Sequence, residues 1–410
     1  MIIPLTVHKI LSKINSCGYD AYTVGGCVRD ILMEKSPCDW DIATSATPDE
    51  IQRIFSQYTV IPTGIKHGTV TLIIDNTPYE ITTFRIDGSY TDSRHPEDVT
   101  FSNDIVEDLK RRDFTINAMA YYPEVGIVDP FGGRNDIQNK IIRTVGNPAT
   151  RFSEDALRIM RAIRFSAVLG FDIEPQTADA LYKYRHLLKN IAAERVCAEL
   201  NKTLCADGAS AVTEKYFSVI SQRLFGDSSL NDFDPSVFSG ISLLPDKLPL
   251  RLSAFVFGAA QVFDIDAIYL AKIFFSRLKY DNKTRRYTQT LLENLYREIT
   301  PDRIAIRHII REIGADALQD IFEFKKALKL EKLNAIDASE NIFSAILCDG
   351  DCCHLQNLAI NGNDLASEFN LKGSDIGNTL NQLLDAVIGG KCENTRSALL
   401  DYFKKATTLK

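Results

Sequence analysis

The hydrophobic periodicity of the chain changes near residue 150, and this change limits the folds that the chain can adopt. Residues 1–145 mix short runs of alternating β type with segments of helical period. The remainder has helical spacing almost throughout, with breaks near Gly170, Gly208, residues 226–235, Pro245 and Pro301. Because the strands are confined to one part of the chain, the pattern predicts an α+β domain followed by helical domains.

Several segments in the first part carry local signals. Residues 22–26, YTVGG, predict a strand that runs into a glycine turn and then a helix. Thr47 followed by Glu50 forms a capping-box pattern, which predicts a helix start. Two strands are predicted on either side of a turn at residues 75–78, and residues 126–137 predict a loop rich in Gly and Asp.

The composition is that of an ordinary globular protein, with 410 residues, 45% hydrophobic and 25% charged. No apolar run reaches the roughly 18 residues of a membrane span, and the start of the chain lacks the features of a signal peptide. The nine cysteines form no disulfide framework and fit a reducing cytosol. We therefore expect a cytoplasmic protein without a membrane partner.

One cysteine cluster raises the question of a metal site. Cys348, Cys352, Cys353 and His354 lie within seven residues and would offer four soft ligands. The spacing contains no CxxC pair, and free cysteines are usually small buried hydrophobes. Buried thiols are therefore the favoured interpretation, and a metal or redox role stays an open alternative.

The net charge of −7, taken alone, argues against a nucleic-acid-binding protein. Basic residues are nevertheless clustered at residues 110–112, at residues 276–287, and at Arg158, Arg161 and Arg164. Such clusters are usually solvated surfaces, so their meaning depends on what surrounds them.

Residues 38–44, CDWDIAT, predict a short strand that carries two aspartates. Asp39 and Asp41 would project from one face of that strand and Trp40 from the other, toward the core. Two carboxylates side by side are costly unless a cation lies between them, and oxygen ligands suit Mg²⁺. Taken alone, the pattern is more typical of a solvated turn.

The double glycine before this strand favours a binding site. Gly25 and Gly26 follow a strand and open a helix, where backbone N–H groups favour phosphate. Arg29, one turn into the helix, could reach the same anion. A phosphate cradle followed by a carboxylate pair is the layout of phosphoryl or nucleotidyl transfer, and a tight strand–helix turn is the simpler alternative.

Two further features fit such a site. Glu80, in a strand of alternating character, is the best candidate for a third carboxylate, although it could be an exposed edge residue. Residues 111–119 predict a helix that starts at Arg111 and Arg112. Basic groups at a helix start oppose its dipole, so a triphosphate would explain them better than helix stability does.

Four ordered motifs resemble those of a known family. They are GGCVRD (residues 25–30), DWD (39–41), RRDFTINAM (111–119) and EDALRIMRAIRF (154–165). Their order and spacing resemble the class II tRNA nucleotidyltransferases, the CCA-adding enzymes, strongly over about the first 170 residues. The helical remainder resembles the family more loosely, through INGNDL (360–365) and KGSDIGNTL (372–380).

The resemblance implies a polymerase-beta-like nucleotidyltransferase head followed by an all-helical neck, body and tail. The head would be residues 1–145, the neck with a nucleotide-selecting helix 146–205, the body 206–300, and the tRNA-binding tail 301–410. The implied activity is template-independent addition of CCA to the tRNA 3′ end from CTP and ATP. No protein partner is implied.

The resemblance also implies site residues. Asp39 and Asp41 would hold two Mg²⁺ ions, with Glu80 as third carboxylate. The residues expected at the nucleotide are Gly26, Arg29 and Arg112 at the triphosphate, Asp113 and Asn117 near the ribose, and Asp155, Arg158, Arg161 and Arg164 in the pocket wall.

Asp155 and Arg158 also permit an independent interpretation. As i,i+3 neighbours on a helix they could form an ordinary surface ion pair. They could equally present an acceptor and a donor that fit the amino group and ring nitrogen shared by cytosine and adenine. Uracil and guanine carry a carbonyl oxygen at that position, which Asp155 would repel. The pair could thus select CTP and ATP without a template.

Residues 84–101 predict a mobile loop, a feature that favours full CCA addition over CC addition within the family. Three alternatives stay open: a partial enzyme that adds only CC or only A, a poly(A) polymerase of the same fold, and an inactive RNA-binding scaffold.

Overall fold

The computed structural model describes residues 3–88, 99–225, 233–330 and 333–408. The chain divides into two compact units, Met1–Ser236 with Ser276–Lys279, and Val237–Phe275 with Tyr280–Lys410. The first unit contains the mixed sheet and the second is helical, so the predicted α+β class with a helical remainder is confirmed. The finer division at residues 145, 205 and 300 stays a prediction.

The strands belong to the first unit. They are β1 Ala21–Val24, β2 Ile42–Thr44, β3 Thr59–Gly64, β4 Thr69–Ile74, β5 Thr77–Thr83, β6 Arg85–Asp87, β7 Val99–Phe101, β8 Ala120–Tyr122, β9 Gly126–Val128, β10 Ile141–Ile142 and β11 Asp172–Ile173. The main sheet has the order β3-β4-β5-β2-β1-β8-β9. Within it β2 and β5 are parallel, whereas β1 is antiparallel to both β2 and β8. Near the sheet centre, the end of β1 therefore lies beside the start of β2, where Thr23 pairs with Ile42, and Ile42 in turn pairs with Ile81 of β5.

Helices alternate with the strands in the first part of the chain and form nearly all of the regular structure after residue 148. The first unit contains α1 Leu5–Ser16, α2 Gly26–Leu32, α3 Pro48–Ile54, α4 Ile105–Lys110, α5 Gly133–Gln138, α6 Pro148–Glu154, α7 Leu157–Leu169, α8 Pro175–Tyr184, α9 Ala193–Leu204 and α10 Ala209–Phe225. The later helices are α11 Leu248–Phe263, α12 Ala267–Leu278, α13 Asn282–Asn294, α14 Arg303–Ile313, α15 Ala315–Ala327, α16 Leu333–Cys348, α17 Gly362–Phe369, α18 Ser374–Ile388 and α19 Arg396–Thr408.

Local sequence signals account for several of these boundaries. The Thr47 N–H donates to Glu50 Oε2 at 2.7 Å, and the predicted capping box opens α3. Asp75 and Asn76 both have positive φ, which is the geometry of a tight two-residue hairpin turn between β4 and β5. Pro78 lies within β5, so the turn is shorter than the predicted residues 75–78.

Two segments differ from their predictions. Residues 126–137 were expected to form a loop, but they contain β9 and most of α5, because Asp129 caps this helix by accepting from the N–H of Gly133 at 2.7 Å. The helical part of the first unit also contains the small parallel pair of β10 and β11. The elements β9, α5, β10 and β11 are all too short for apolar periodicity to reveal them.

Among the described residues no single helix is long and apolar enough to cross a bilayer. The pair α11 and α12 reaches that length and composition only when taken together, and the two helices are bent by 114°.

Gly133 fixes the position of the 3₁₀ turn at Thr115–Asn117. A Cβ at Gly133 would overlap the carbonyl oxygen of Thr115 and would lie 3.0 Å from the Met119 Sδ. The close approach of α5 to this turn therefore requires glycine, and the turn carries Asn117, one of the predicted site residues.

We predict that Gly133→Ala lowers the free energy of unfolding by about 1–3 kcal/mol, because the added methyl group overpacks this contact. Calorimetric thermal unfolding of the full chain measures the effect. Gly377→Ala is the matched control, since a Cβ at that position of α18 meets open space. It should leave stability unchanged or raise it by up to about 1 kcal/mol, and equal loss in both variants would contradict this account.

Candidate active site

One polar cavity of about 580 Å³ in the first unit gathers most of the predicted site residues. Its described lining consists of Gly25, Gly26, Arg29, Asp39, Asp41, Arg111, Arg112, Asp113, Asn117, Asp155, Leu157, Arg158, Arg161, Arg164, Phe165 and Arg195. Its volume falls in the range of about 300–1,000 Å³ that is usual for small-molecule sites. Seven arginines against four aspartates make this lining basic, although the chain as a whole has a net charge of −7.

The glycine turn and the aspartate pair meet where β1 ends. Gly25 has a φ of 80°, and a Cβ there would lie 2.9 Å from Arg112 Nη1 and 3.9 Å from Asp41 Oδ2. The turn therefore requires glycine for both its conformation and its closeness to charged groups. The Val24 N–H donates to the Asp41 carbonyl oxygen at 3.0 Å, which ties the two segments together.

The aspartates precede β2 and do not lie within it. That strand covers only Ile42–Thr44, so the predicted strand over residues 38–44 is too long and its two-residue periodicity does not set the directions of Asp39 and Asp41. Both aspartates nevertheless line the same cavity. Trp40, between them, is half-buried and packs against the core behind the sheet, as predicted.

Asp41 is an electrostatically unusual carboxylate. The residue is exposed to the cavity, yet protein atoms around the carboxylate remove enough water to raise its pKa. Arg112 acts in the opposite direction, and Asp39 raises the pKa further. A bound cation would stabilise the negative charges of such a carboxylate pair.

Glu80 does not belong to the described cavity lining. It is exposed on β5, where the pairing of Ile81 with Ile42 puts it level with Asp41 on the neighbouring strand. The described residues contain no group of three or more His, Cys, Asp or Glu arranged to hold a metal ion. The role of Glu80 as third carboxylate thus stays a prediction.

Arg111 and Arg112 follow the end of a helix. Helix α4 ends at Lys110 and Arg111 is its C-cap, so the prediction of a helix starting at residue 111 is wrong. Basic side chains at a helix C-terminus interact favourably with its dipole. Helix stability therefore does contribute to their placement, contrary to the argument from sequence.

Asp108, which was not among the predicted site residues, anchors both of these arginines. Its fully buried carboxylate accepts from Arg111 Nη2 at 2.7 Å and from Arg112 Nη2 at 3.2 Å. Burial alone would raise the pKa of Asp108, but Arg112 and Arg111 together hold it below its usual value. The i,i+3 and i,i+4 spacing to the two arginines was a signal that could have identified it.

Asp155 lies at a break between two helices. Its backbone is extended, with φ −139° and ψ 102°, between the end of α6 and the start of α7. The prediction that Asp155 and Arg158 are i,i+3 neighbours on one helix is therefore wrong. Asp155 Oδ1 accepts from the Leu157 N–H at 3.0 Å, and Oδ2 accepts from Arg195 at 3.0 Å. The competing capping role explains why the helix breaks here.

Arg158 is held by groups other than Asp155. Its Nη1 donates to Glu154 at 2.8 Å, and its Nη2 donates to the Arg111 carbonyl oxygen at 2.9 Å. Arg158 is 8% exposed and still lines the cavity together with Asp155. Glu154 and Arg195, which hold the two members of the pair, were not predicted.

Other arginines of the cavity also form ion pairs or hydrogen bonds with acidic or amide side chains. Arg161 Nε donates to Asp113 at 2.8 Å, and Arg164 forms an ion pair of 2.7 Å with Glu199. Burial alone would raise the pKa of Asp113, but Arg161 keeps it below its usual value.

Arg29 is bound in the same way, since its Nη1 donates to Asn117 Oδ1 at 2.7 Å and its Nη2 lies 2.6 Å from Asp30. The predicted ribose-side residues, Asp113 and Asn117, are adjacent, with Asn117 Nδ2 donating to Asp113 Oδ1 at 3.3 Å.

Two further predicted features are not part of the described cavity lining. Residues 89–98 of the predicted loop lie outside the described part of the chain, while its ends pair as the antiparallel strands β6 and β7. In the second unit, Cys352 and Cys353 are buried, and burial raises the pKa of Cys353 to about 11. Such thiols stay protonated near neutral pH, which favours their interpretation as buried apolar groups.

Comparisons with known proteins decide the family. Three family models match: the poly A polymerase head domain over residues 21–143, an RNA- and SrmB-binding site of polymerase A over residues 170–217, and a tRNA nucleotidyltransferase domain 2 over residues 266–403. A CCA-adding enzyme of Streptococcus mutans is 35% identical over 97% of this chain and 96% of its own length. The chain belongs to the CCA-adding enzyme family. A CCA-adding enzyme of Leuconostoc citreum is likewise 37% identical, over 98% of this chain and 96% of its own.

A solved structure extends this likeness to three dimensions. The Bacillus stearothermophilus CCA-adding enzyme in complex with CTP matches with a TM-score of 0.79 and 30% identity, covering 100% of both chains. The family resemblance predicted from four motifs is thus confirmed along the whole chain, including the helical part. As a member of this family the chain is a nucleotidyltransferase, a class of enzyme that uses divalent metal ions.

We predict that Asp108→Asn destabilises the first unit by about 3 kcal/mol at neutral pH, because two arginines lose a buried counter-charge. The pKa of Asp108 is lowered from its ordinary 3.8, so its ion pairs stabilise the fold above about pH 4. They are lost as the pH falls through the lower pKa of the folded protein. The stability difference between wild type and variant should therefore shrink below pH 4, as urea titrations at several pH values can measure. A difference that does not depend on pH would contradict this.

Proposed function

We propose that the chain adds C, C and A to the 3′ end of tRNA, from CTP and ATP and without a template, and releases pyrophosphate. One observation carries the proposal. A single cavity gathers a carboxylate pair, a glycine turn and seven arginines, in a chain whose full-length relatives are named CCA-adding enzymes. The fold alone would not suffice, since one fold hosts several activities.

Asp39 and Asp41 are the proposed ligands of two Mg²⁺ ions. Both line the cavity, and loss of water around the Asp41 carboxylate, with a smaller effect of Asp39, raises the pKa of Asp41, so a bound cation would stabilise its charged form. Hard oxygen donors of this kind suit Mg²⁺. When bound, the ions would stabilise the charge on the attacking and leaving oxygens. Glu80, level with Asp41 on the next strand, is the proposed third carboxylate.

The arginines and the glycine turn would bind and orient the nucleotide. Gly26 offers its backbone N–H at the start of α2, and Arg29 and Arg112 offer guanidinium groups to the triphosphate. Asp113 and Asn117 would lie near the ribose. Held in this way, the α-phosphate faces the 3′ hydroxyl of tRNA, and positioning with charge neutralisation supplies most of the catalysis.

Asp155 and Arg158 are the proposed base-selecting pair. Each Asp155 oxygen already has one partner, and a carboxylate oxygen can accept a second hydrogen bond from the amino group of cytosine or adenine. Arg158 is oriented by Glu154, so the donor has a fixed position before the base arrives. These two side chains of the cavity would therefore select the base, whereas other polymerases select it by pairing with a template.

Binding of tRNA is proposed for the helical part of the chain, residues 301–410 above all. We expect it to depend steeply on salt, because duplex RNA is recognised largely through its backbone and 2′-hydroxyl groups. The cytoplasmic location also belongs to this proposal.

We predict that Asp39→Ala and Asp41→Ala each lower the rate of nucleotide addition at least about a thousand-fold, because the metal site loses half of its cavity-lining carboxylates. The assay incubates the full chain with tRNA lacking its CCA end and labelled CTP or ATP, offered alone and together. Asp49→Ala, an exposed carboxylate on α3, is the control and should retain full activity.

The same assay separates the alternatives. Addition of CC without A, or of A alone, would indicate a partial enzyme, and long A tracts without C would indicate a poly(A) polymerase. Full activity of Asp39→Ala would overturn the site assignment.

We predict that Asp155→Ala and Arg158→Ala lower discrimination against UTP and GTP by about tenfold or more, while nucleotide affinity changes less. The reason is that these side chains would form hydrogen bonds with the base and not with the triphosphate. The ratio of kcat/KM values for CTP and UTP, and for ATP and GTP, measures the effect. Ser153→Ala on α6 is the control, and unchanged discrimination in both variants would refute the role of the pair.

A further inference from the structure

Phe165 occupies an unusual position among the charged residues of the cavity. It lies on α7, it is 6% exposed, and it is part of the cavity lining. The guanidinium carbons of Arg29, Arg161 and Arg164 lie 5.3, 5.3 and 4.2 Å from the centre of its ring. Three cations thus lie within the distance of about 6 Å at which an aromatic ring attracts a cation.

The ring itself is fixed from behind. Phe114 meets Phe165 edge-to-face, with ring centres 5.8 Å apart and an interplanar angle of 83°. Phe114 is fully buried and precedes the 3₁₀ turn that carries Asn117. The fully buried Phe114 therefore supports the Phe165 ring from the core side.

The three guanidiniums need such a support because they repel one another. Each has one acidic partner, at Asp30, Asp113 and Glu199 respectively. Burial lowers the pKa of Arg164, and the nearby Arg161 and Arg29 lower it further, against the effect of Glu199. The negative faces of an aromatic ring counter this repulsion without adding a second anion, which would compete with a phosphate.

We propose that Phe165 is a positioning residue, whose ring holds Arg29, Arg161 and Arg164 together at the cavity wall so that they meet the triphosphate of the incoming nucleotide. The inference rests on the proposed function, which supplies the triphosphate. It differs from a packing role, because it makes nucleotide affinity depend on the electron density of the ring and not only on its volume.

Fluorinated phenylalanines at position 165 test this most directly. One, two or three fluorine atoms progressively weaken the negative faces of the ring and change its shape little. We expect KM for CTP and ATP, and the Kd for CTP measured by calorimetry, to rise with each fluorine, to a total of about three- to tenfold. The kcat and the KM for tRNA should stay within about twofold. The same series at Phe171, which is buried outside the cavity lining, should have no effect.

Pyrophosphate provides a second readout. If Phe165 acts through the arginines, fluorination should weaken inhibition by pyrophosphate in parallel with the binding of CTP and ATP. A change for only one of the two nucleotides would instead mean that the ring stacks on a base, and would overturn the proposal. Unchanged affinities across the series would overturn it as well.

Conventional variants complete the test. Phe165→Leu should raise KM for both nucleotides about tenfold, and Phe165→Tyr should restore it to within about twofold of wild type. A lower melting temperature of Phe165→Leu without a change in KM or in the Kd for CTP would indicate packing alone. Wild-type chain that binds CTP but transfers no nucleotide would refute the proposed function, while the Kd series would still decide the role of Phe165.

Discussion

The pairing of cavity arginines with buried acids is the interaction on which the rest of the site depends. Seven guanidiniums line about 580 Å³, and without counter-charges their repulsion would open the cavity. Asp108, Asp113, Glu154 and Glu199 supply these charges from α4, the segment after it, α6 and α9. The ion pairs of Asp113 with Arg161 and of Glu199 with Arg164 also join segments that are far apart in the chain. Removing one acid would leave a cation uncompensated and release the segment that it holds.

What the sequence could predict was local. The strand–glycine–helix order around Gly25 and the capping box at Thr47 follow from rules that act within a few residues. Order and spacing of the motifs then led to the family, which the full-length relatives confirm. The distinction between a sheet-containing unit and a helical one was also visible, because hydrophobic period differs between strands and helices.

The features that the sequence could not predict depend on pairs of residues that are far apart in the chain. Apolar periodicity continues through Asp155 and places it within a helix, whereas its carboxylate caps the start of the next helix, a role that Asp often has. Its partner Arg195 lies 40 residues away, and Arg161 finds Asp113 48 residues away. Asp108 differs, since its arginines lie three and four residues on, and a search for such spacing would have found it.

The break at Asp155 also bears on the proposed selection of the base. A carboxylate on a helix surface would be free to rotate, and a nucleotide would have to order it on binding. Here one oxygen caps α7 and the other is held by Arg195, so this entropy is lost during folding and not during binding. Arg158 is fixed in the same way by Glu154 and by the carbonyl of Arg111. In the proposed role of this pair, a donor and an acceptor held rigidly before the base arrives would discriminate by mismatch, because a uracil or guanine carbonyl would have to uncap the helix to displace Asp155.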